Sequence, residues 1–345
     1  VYVNATDTSS VVGGVIGLQT DNNNLTLTIR DSLNNMAIVS TDVSALGGFI
    51  GSSKTKKSTV NGDTIHVVNC TNLGTIMCEK CLDVGGLAGY LFNIQSVTFM
   101  SCENRGFIQT VETSRSVGGL VGTFTNAMNV IINPTIMINN STNNGNITSF
   151  GSTALSVGGL FGTIYDSISL SVNIENSTNI GHLNIITEHS KAGGMIGSVT
   201  SNSFLNLTIK NCTNKVSIVC EALQSSHAGG IIGMLNENSK SDFTLSHCFN
   251  NGNVKSRGQN TFLGGILGYV SINLITKMII TRTENNGHIC VTEAQQRSYA
   301  GGVVGIIEKN PSLTFELSGV VNRGNVTFES KEGGRGAGLL GEINI

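Results

Sequence analysis

Apolar and polar residues alternate along much of the chain, and this period of two predicts short β-strands that bury one face. Apolar pairs two residues apart recur throughout: Leu27/Ile29, Ile65/Val67, Val97/Phe99, Ile136/Ile138, Val172/Ile174, Leu207/Ile209 and Phe315/Leu317. Helical periodicity is absent from the sequence. The pattern therefore predicts an all-β protein.

Between these strands, a six-residue segment recurs ten times at intervals of 33 to 40 residues. It reads as a small or apolar residue, two glycines, two apolar residues and a glycine, and we call it the hexad. Its copies begin at Val12, Leu46, Val84, Val117, Val157, Ala192, Ala228, Leu263, Ala300 and Gly336, the last with Ala337 in place of a glycine. A fixed period of this length is typical of repeat proteins whose units bury their apolar faces against each other.

Every interval between hexads contains an asparagine at a fixed place: Asn34, Asn72, Asn104, Asn143, Asn179, Asn214, Asn250, Asn285 and Asn322. A glycine follows two residues later in seven of the nine intervals, and Met36 and Val216 are the exceptions. If the units stack about 4.8 Å apart, identical amides can hydrogen-bond from rung to rung. We therefore favour an asparagine ladder. An Asn-x-Gly hairpin turn between antiparallel strands would use the same residues.

The repeat predicts one elongated β-solenoid, similar to a parallel β-helix, with about ten repeats of about 36 residues and roughly three short strands in each. The hexad is expected to form one of these strands. A single array over residues 1–345 is divided into units 11–44, 45–82, 83–115, 116–155, 156–190, 191–226, 227–261, 262–298, 299–334 and a partial unit 335–345. We expect positive φ at the glycines of the Asn-x-Gly corners and close backbone approach at the hexad glycines.

The hexad resembles the GLUG motif of surface proteins, most closely at residues 84–89, 117–122 and 157–162. Residues 143–147 and 211–214 resemble the segment between GLUG motifs, and the resemblance covers nearly the whole chain. GLUG-like repeats accompany adhesins, cell-surface proteins and the non-catalytic parts of some secreted proteases. The resemblance therefore implies an extracellular scaffold and no chemistry of its own.

Composition narrows the possible partners. Only 12% of the residues are charged and the net charge is −2, whereas a nucleic-acid partner would require a basic stripe. No apolar run approaches the roughly 18 residues that span a bilayer. The chain opens on Val1. We expect a segment of a longer protein with no nucleic-acid partner and no membrane span of its own.

Secretion is suggested by Asn-x-Ser/Thr triplets, the acceptors of N-glycosylation. They stand at Asn4, Asn24, Asn69, Asn139, Asn140, Asn146, Asn176, Asn206, Asn211 and Asn325. A chain rich in Asn, Ser and Thr also generates such triplets by chance. Glycosylation at several of these positions is therefore an expectation, and chance is its alternative.

Eight cysteines in a secreted chain suggest disulfides. Four of them stand two residues before a ladder asparagine, where other repeats mostly carry small side chains: Cys70, Cys102, Cys212 and Cys248. Equivalent positions of successive coils lie within disulfide range, so Cys70–Cys102 and Cys212–Cys248 bridges are expected. A column of buried thiols is the alternative. A local Cys78–Cys81 disulfide, or simple burial of the two thiols, is expected, because nothing completes a zinc or redox site there.

The sequence contains no recognisable catalytic, cofactor-binding or metal-binding motif. Its six histidines do not recur in register, and its aspartates fall at different repeat positions. We expect a non-enzymatic extracellular structural or adhesive protein that binds a protein or glycan, or that self-associates head to tail into a filament. The alternative is a carbohydrate-active enzyme or an accessory segment of a secreted protease. Insertions before Asn72 and Asn143 are the expected binding loops.

Overall fold

The computed structural model describes residues 10–20, 25–55, 62–112, 114–126, 133–151, 154–271, 275–311, 313–331 and 333–344. Over these ranges the chain is a parallel β-solenoid, and two of its four sheets contain nine strands each, one for each turn. This confirms the predicted fold class. In the described part of the chain, no helix is long and apolar enough to cross a membrane.

Each coil contributes strands to four sheets, which we call A to D. Sheet A contains Val11–Gly13, Ile38–Gly47, Ile76–Gly85, Ile108–Thr110, Ser116–Gly118, Ile147–Phe150, Ala154–Gly158, Leu183–Gly193, Ile218–Gly229, Val254–Arg257, Asn260–Gly264, Ile289–Ala294, Ser298–Gly301, Val326–Ser330 and Gly334–Ala337. Sheet B contains Ile16–Thr20, Ile50–Lys54, Ala88–Phe92, Val121–Thr125, Phe161–Tyr165, Ile196–Thr200, Ile232–Asn236, Leu267–Ser271, Val304–Glu308 and Leu340–Asn344.

The other two sheets follow sheet B along each coil. Sheet C contains Thr26–Arg30, Thr64–Val68, Ser96–Met100, Thr135–Asn139, Ser171–Glu175, Asn206–Lys210, Asp242–Ser246, Lys277–Thr281 and Thr314–Ser318. Sheet D contains Leu33–Asn34, Thr71–Asn72, Glu103–Asn104, Thr142–Asn143, Thr178–Asn179, Thr213–Asn214, Phe249–Asn250, Glu284–Asn285 and Val321–Asn322. Sheet D, whose strands are only two residues long, is a fourth element where three strands were predicted.

The hexad is a bend between two sheets, which corrects the prediction that it forms a strand of its own. In the third copy, Gly85 ends a strand of sheet A, Gly86 and Leu87 bend, and Ala88 begins a strand of sheet B. A side chain on Gly85 would collide with the carbonyl oxygen of Ala88. The bend is this tight because glycine has no Cβ.

The asparagines of sheet D form a continuous hydrogen-bonded ladder. The Nδ2 of each donates to the Oδ1 of its equivalent in the next coil, at 2.7 to 2.9 Å over all eight steps. Most also donate to the carbonyl two residues ahead, as Asn143 does to Gly145 at 3.0 Å. Parallel pairing of the strands excludes the hairpin alternative, because equivalent residues stack directly above each other.

The ladder asparagine packs against the middle glycine of its own coil's hexad. A Cβ on Gly119 would collide with the Asn143 side chain and with the Gly159 carbonyl oxygen. This contact recurs in every coil that has a ladder asparagine. It separates a larger core between sheets B and C, which contains Phe49 and Phe99, from a smaller core inside sheet A.

The corner glycines do not adopt positive φ, which corrects a second expectation. Gly74 is required instead because a Cβ there would strike the carbonyl oxygen of Met36 in the preceding coil. Left-handed backbone occurs at another column, three residues before each ladder asparagine, with φ from 47° to 61°. Its members are Asp31, Asn69, Ser101, Asn140, Asn176, Asn211, His247, Arg282 and Gly319. Asparagine and glycine suit this conformation best.

We predict that Gly119→Ala destabilises the solenoid by about 3 kcal/mol or more, because rigid backbone surrounds the new methyl group. Gly338→Ala is the matched control. Gly338 occupies the same hexad position, but a Cβ there meets nothing within 4 Å. Urea denaturation measures both variants, and an equal effect would contradict the packing argument.

We also predict that Asn143→Ala lowers stability by about 2 kcal/mol or more, because it leaves a buried donor and a buried acceptor unpaired. The donor is the Nδ2 of Asn104 and the acceptor is the Oδ1 of Asn179. The neighbouring Asn144 is exposed, and Asn144→Ala is expected to change stability by less than about 0.5 kcal/mol. Thermal unfolding that shifts equally in both variants would contradict the role of the ladder.

Candidate functional site

The four cysteines that precede ladder asparagines form a column of buried thiols, which was the alternative to the expected bridges. Cys70, Cys102, Cys212 and Cys248 are buried free thiols, so the expected Cys70–Cys102 and Cys212–Cys248 disulfides are not formed. Each Sγ points inward and donates to carbonyl oxygens, as Cys102 does to Val67 at 3.2 Å. Burial raises the pKa of Cys102 to about 11, which keeps this thiol protonated. Cys78 and Cys81 are joined by a disulfide, as expected.

Seven described asparagines of the proposed glycosylation set are exposed, and Asn139 is half-buried; the exposed ones are Asn69, Asn140, Asn146, Asn176, Asn206, Asn211 and Asn325. Asn4 and Asn24 lie outside the described residues. Four of these asparagines belong to the left-handed column, where a small inward Cys or Ser and the threonine of sheet D follow. The repeat geometry therefore accounts for these four triplets better than chance does.

The asparagines of all the described acceptor triplets lie on sheet C, at the turn from C to D, or between sheets D and A. Sheet B and the segments that lead into the hexads contain none of them. One long face of the described solenoid is therefore free of acceptor sites. This face contains a groove.

The groove lies between the outer faces of sheets A and B, which approach each other on the outside of the hexad bend. Asp83, directly before one hexad, accepts a hydrogen bond at 2.6 Å from Thr123, directly after the next. Ser156 and Ser198 stand in the same relation, with their hydroxyl oxygens 2.9 Å apart. Residues flanking successive hexads therefore meet across the groove along the solenoid.

The described tyrosines are confined to this groove. The chain has five tyrosines, and the four within the described residues, Tyr90, Tyr165, Tyr269 and Tyr299, all line it. Sequence reasoning did not identify them. A signal was available, because each stands directly before a hexad or within three residues after one. Tyrosine and arginine are the residue types most enriched at binding hot spots.

Arg115 organises the first of two clusters in the groove, which we call the Arg115 cluster: Lys54, Asp83, Tyr90, Arg115 and Tyr165. The guanidinium contacts both carboxylate oxygens of Asp83, with Nε 3.2 Å from Oδ1 and Nη2 2.5 Å from Oδ2. It also lies 6.0 Å from the ring centre of Tyr90 and 5.4 Å from that of Tyr165. Lys54 lies 5.3 Å from the ring centre of Tyr90.

Charge and burial in the Arg115 cluster have opposite effects on the pKa of Asp83. Burial raises the pKa of Asp83 above its usual value of 3.8, while Arg115 and the hydroxyl of Thr123 act in the opposite direction. Both carboxylate oxygens accept hydrogen bonds, so the carboxylate orients the arginine. About half of the Arg115 side chain remains exposed, which leaves guanidinium donors available to a ligand.

The second cluster, centred on Arg297, uses the same residue types: Tyr269, Arg297, Tyr299 and Glu308. Arg297 pairs with Glu308 at 2.5 Å and donates to the hydroxyl of Tyr299 at 3.0 Å, while Tyr269 donates to Glu308 at 3.1 Å. A cavity of about 580 Å³ adjoins it, lined by Gln296, Arg297, Tyr299, Gly333, Gly334 and Arg335. In both clusters, an arginine directly before a strand of sheet A thus contacts side chains of sheet B.

Aromatic rings fill the groove between Lys191 and the Arg297 cluster. His227, Phe262 and Tyr299 occupy equivalent positions in successive coils, with ring centres 5.1 and 6.0 Å apart. Burial, and then the charge of Lys191, lower the pKa of His227 to about 3. The imidazole is therefore neutral near neutral pH and acts there as an apolar ring.

The described groove suits binding better than proton transfer. It offers ring faces, hydroxyl groups and guanidinium donors. In the described ranges, no three His, Cys, Asp or Glu side chains converge to hold a metal ion. The predicted binding loops before Asn72 and Asn143 include residues 56–61 and 127–132, which lie outside the described residues.

The chain matches no known family, no curated protein and no solved structure.

We predict that Arg115→Met lowers stability by about 2 kcal/mol, less than for a fully buried pair because Arg115 is half exposed. Asp83 is then buried without its partner, and its pKa rises further. Because a raised folded-state pKa makes the folded chain bind more protons, stability falls as pH rises through that pKa. The loss should be larger near about pH 8 than near about pH 5.

Arg105→Met is the control for this experiment, because Arg105 contacts Glu103 at 2.8 Å in an exposed pair. Its effect is expected to be small at either pH. If urea denaturation showed equal losses of stability for Arg115→Met at both pH values, Asp83 would be excluded as the cause of the destabilisation.

Proposed function

We propose that this chain is a non-enzymatic, extracellular adhesive scaffold that binds its partner in the groove between sheets A and B. The observation that carries the proposal is the confinement of the described tyrosines to a face without described glycosylation acceptors. The resemblance of the hexad to the GLUG motif supports a location at the cell surface or outside the cell.

The strict repeats support a scaffold role for most of the chain. The hexad glycines and ladder asparagines are committed to packing against each other and to hydrogen bonds within the solenoid. They are therefore unavailable to a ligand. The groove residues vary from coil to coil, and variation of this kind on a regular frame is how repeat proteins acquire binding specificity.

The exposed acceptor asparagines support passage through a secretory pathway. N-glycans would cover the corners around sheets C and D, and the groove would stay accessible. We expect the chain, expressed in a eukaryotic secretory host, to lose mass on enzymatic deglycosylation. Mass spectrometry should place glycans on members of the set Asn69, Asn140, Asn146, Asn176, Asn206, Asn211 and Asn325. A secreted chain without any glycan would remove this support.

An engineered glycan at the rim of the groove tests the binding face directly. Gln224→Asn creates the triplet Asn-Ser-Ser on an exposed stretch of sheet A, next to Ser225, which contacts His189 at 2.7 Å. Beads coated with the wild-type chain should adhere to cell or matrix surfaces. The glycan at position 224 should abolish most of this adhesion.

The matched control places a glycan of the same kind on the opposite face. Glu175→Thr completes a triplet that begins at Asn173 on the outer face of sheet C, and adhesion should be retained. Loss of adhesion in both variants would contradict a groove-specific interaction. Wild-type beads that bind no surface would contradict the adhesive function.

The same preparations test the alternatives. Release of reducing sugars from polysaccharides would identify a carbohydrate-active enzyme and contradict the proposal. Growth of larger species with concentration in size-exclusion chromatography would favour head-to-tail self-association into a filament.

A further inference from the structure

The Arg115 cluster combines half-buried aromatic rings with cations that lie over them. Tyr90 and Phe92 lie two residues apart on sheet B, half-buried, with parallel rings whose centres are 6.1 Å apart. Tyr165 stands two coils further along, in the same column as Phe92. The half-exposed guanidinium of Arg115 lies between the tyrosine rings of these coils.

This combination suits a sugar better than an apolar ligand. A pyranose ring has an apolar face that packs on an aromatic ring, and a rim of hydroxyl groups that accept hydrogen bonds from cationic donors. Arg115 and Lys54, which lie over the ring of Tyr90, supply those donors. Tyrosine adds a polar end to its apolar ring, which suits ligands that are part apolar and part hydroxylated.

The spacing of the coils favours a glycan over a peptide as the ligand. Equivalent side chains recur along the groove about every 4.8 Å, whereas an extended peptide advances by about 3.3 Å per residue and loses register. A linear pyranose chain advances by nearly one coil per sugar. The groove walls are sheet faces, whose backbone groups bond within the sheets, so a peptide cannot add to them as a strand.

We propose that the Arg115 cluster and Phe92 bind a linear, unbranched polysaccharide that lies along the solenoid axis, with successive sugar rings over successive coils. The proposal rests on the groove being the adhesive face. It adds the chemical class of the ligand and the direction of the chain. The stretch from Tyr90 to Tyr165 spans three coils and accommodates about three sugars.

Affinity electrophoresis through gels that contain single linear polysaccharides (a glucan, a xylan, a mannan or a chitin derivative) tests the proposal with the full chain. At least one polymer should retard the wild-type chain. Its oligosaccharides should bind in calorimetry with an affinity that rises up to about three sugars and then levels off. The absence of binding to every polymer, or an affinity that does not depend on length, would overturn the proposal.

Variants locate the subsite. Tyr90→Ala and Tyr165→Ala should each weaken binding by about tenfold or more, as hot-spot tyrosines do, while Tyr90→Phe keeps most of the affinity. Phe204→Ala is the control, because Phe204 is an exposed ring on another face with Lys240 5.1 Å from its centre. An equal loss in Phe204→Ala would overturn the assignment. Circular dichroism checks that each variant folds. The dependence of the wild-type affinity on oligosaccharide length tests the proposal without any variant.

The two proposals can fail separately. If Gln224→Asn blocks adhesion of the beads while soluble polysaccharide and Tyr90→Ala leave it unchanged, the groove is the adhesive face but its ligand is not a glycan. If the wild-type chain binds polysaccharide but wild-type beads adhere to no surface, the subsite stands without the adhesive function.

Discussion

The contact between the ladder asparagine and the middle glycine of the hexad is the constraint on which the rest of this solenoid depends. It joins opposite sides of each coil, and only a residue without a Cβ fits there. The amide satisfies its own hydrogen bonds along the ladder, so a polar group can stand between two apolar cores without an unpaired donor. Both repeated motifs are therefore explained by one interface.

This contact between asparagine and glycine also shapes the outer surface. Because the chain bends sharply at Gly-Gly, sheets A and B turn their outer faces towards each other, and side chains that flank the hexads meet across a groove. Small hydroxyl residues close the groove at Ser156 and Ser198, whereas rings and arginines occupy it elsewhere. The residues that build the frame thus also bring the variable residues together, and this division leads to the proposed adhesive function.

The fold could be predicted because its causes repeat in the sequence. Period-two strands, the hexad and the asparagine indicated parallel coils in the correct register. The roles of the glycines were harder to predict from the sequence. Gly74 is required because the carbonyl of the preceding coil leaves no room for a Cβ. The left-handed residues lie three positions before the ladder asparagines. Likewise, a spacing suitable for Cys70–Cys102 could not reveal that both thiols point inward towards carbonyl oxygens.

The candidate site was not predicted, because its residues do not repeat and lie far apart in the chain. Asp83 and Arg115 are 32 residues apart and stand before successive hexads, and a whole coil lies between those of Tyr90 and Tyr165; only stacking places them together. The sequence by itself determined the coil, its period and its ladder, since these rest on local patterns that recur at fixed spacing. The tertiary structure decided which outer faces oppose each other, because that depends on the sharpness of the hexad bend.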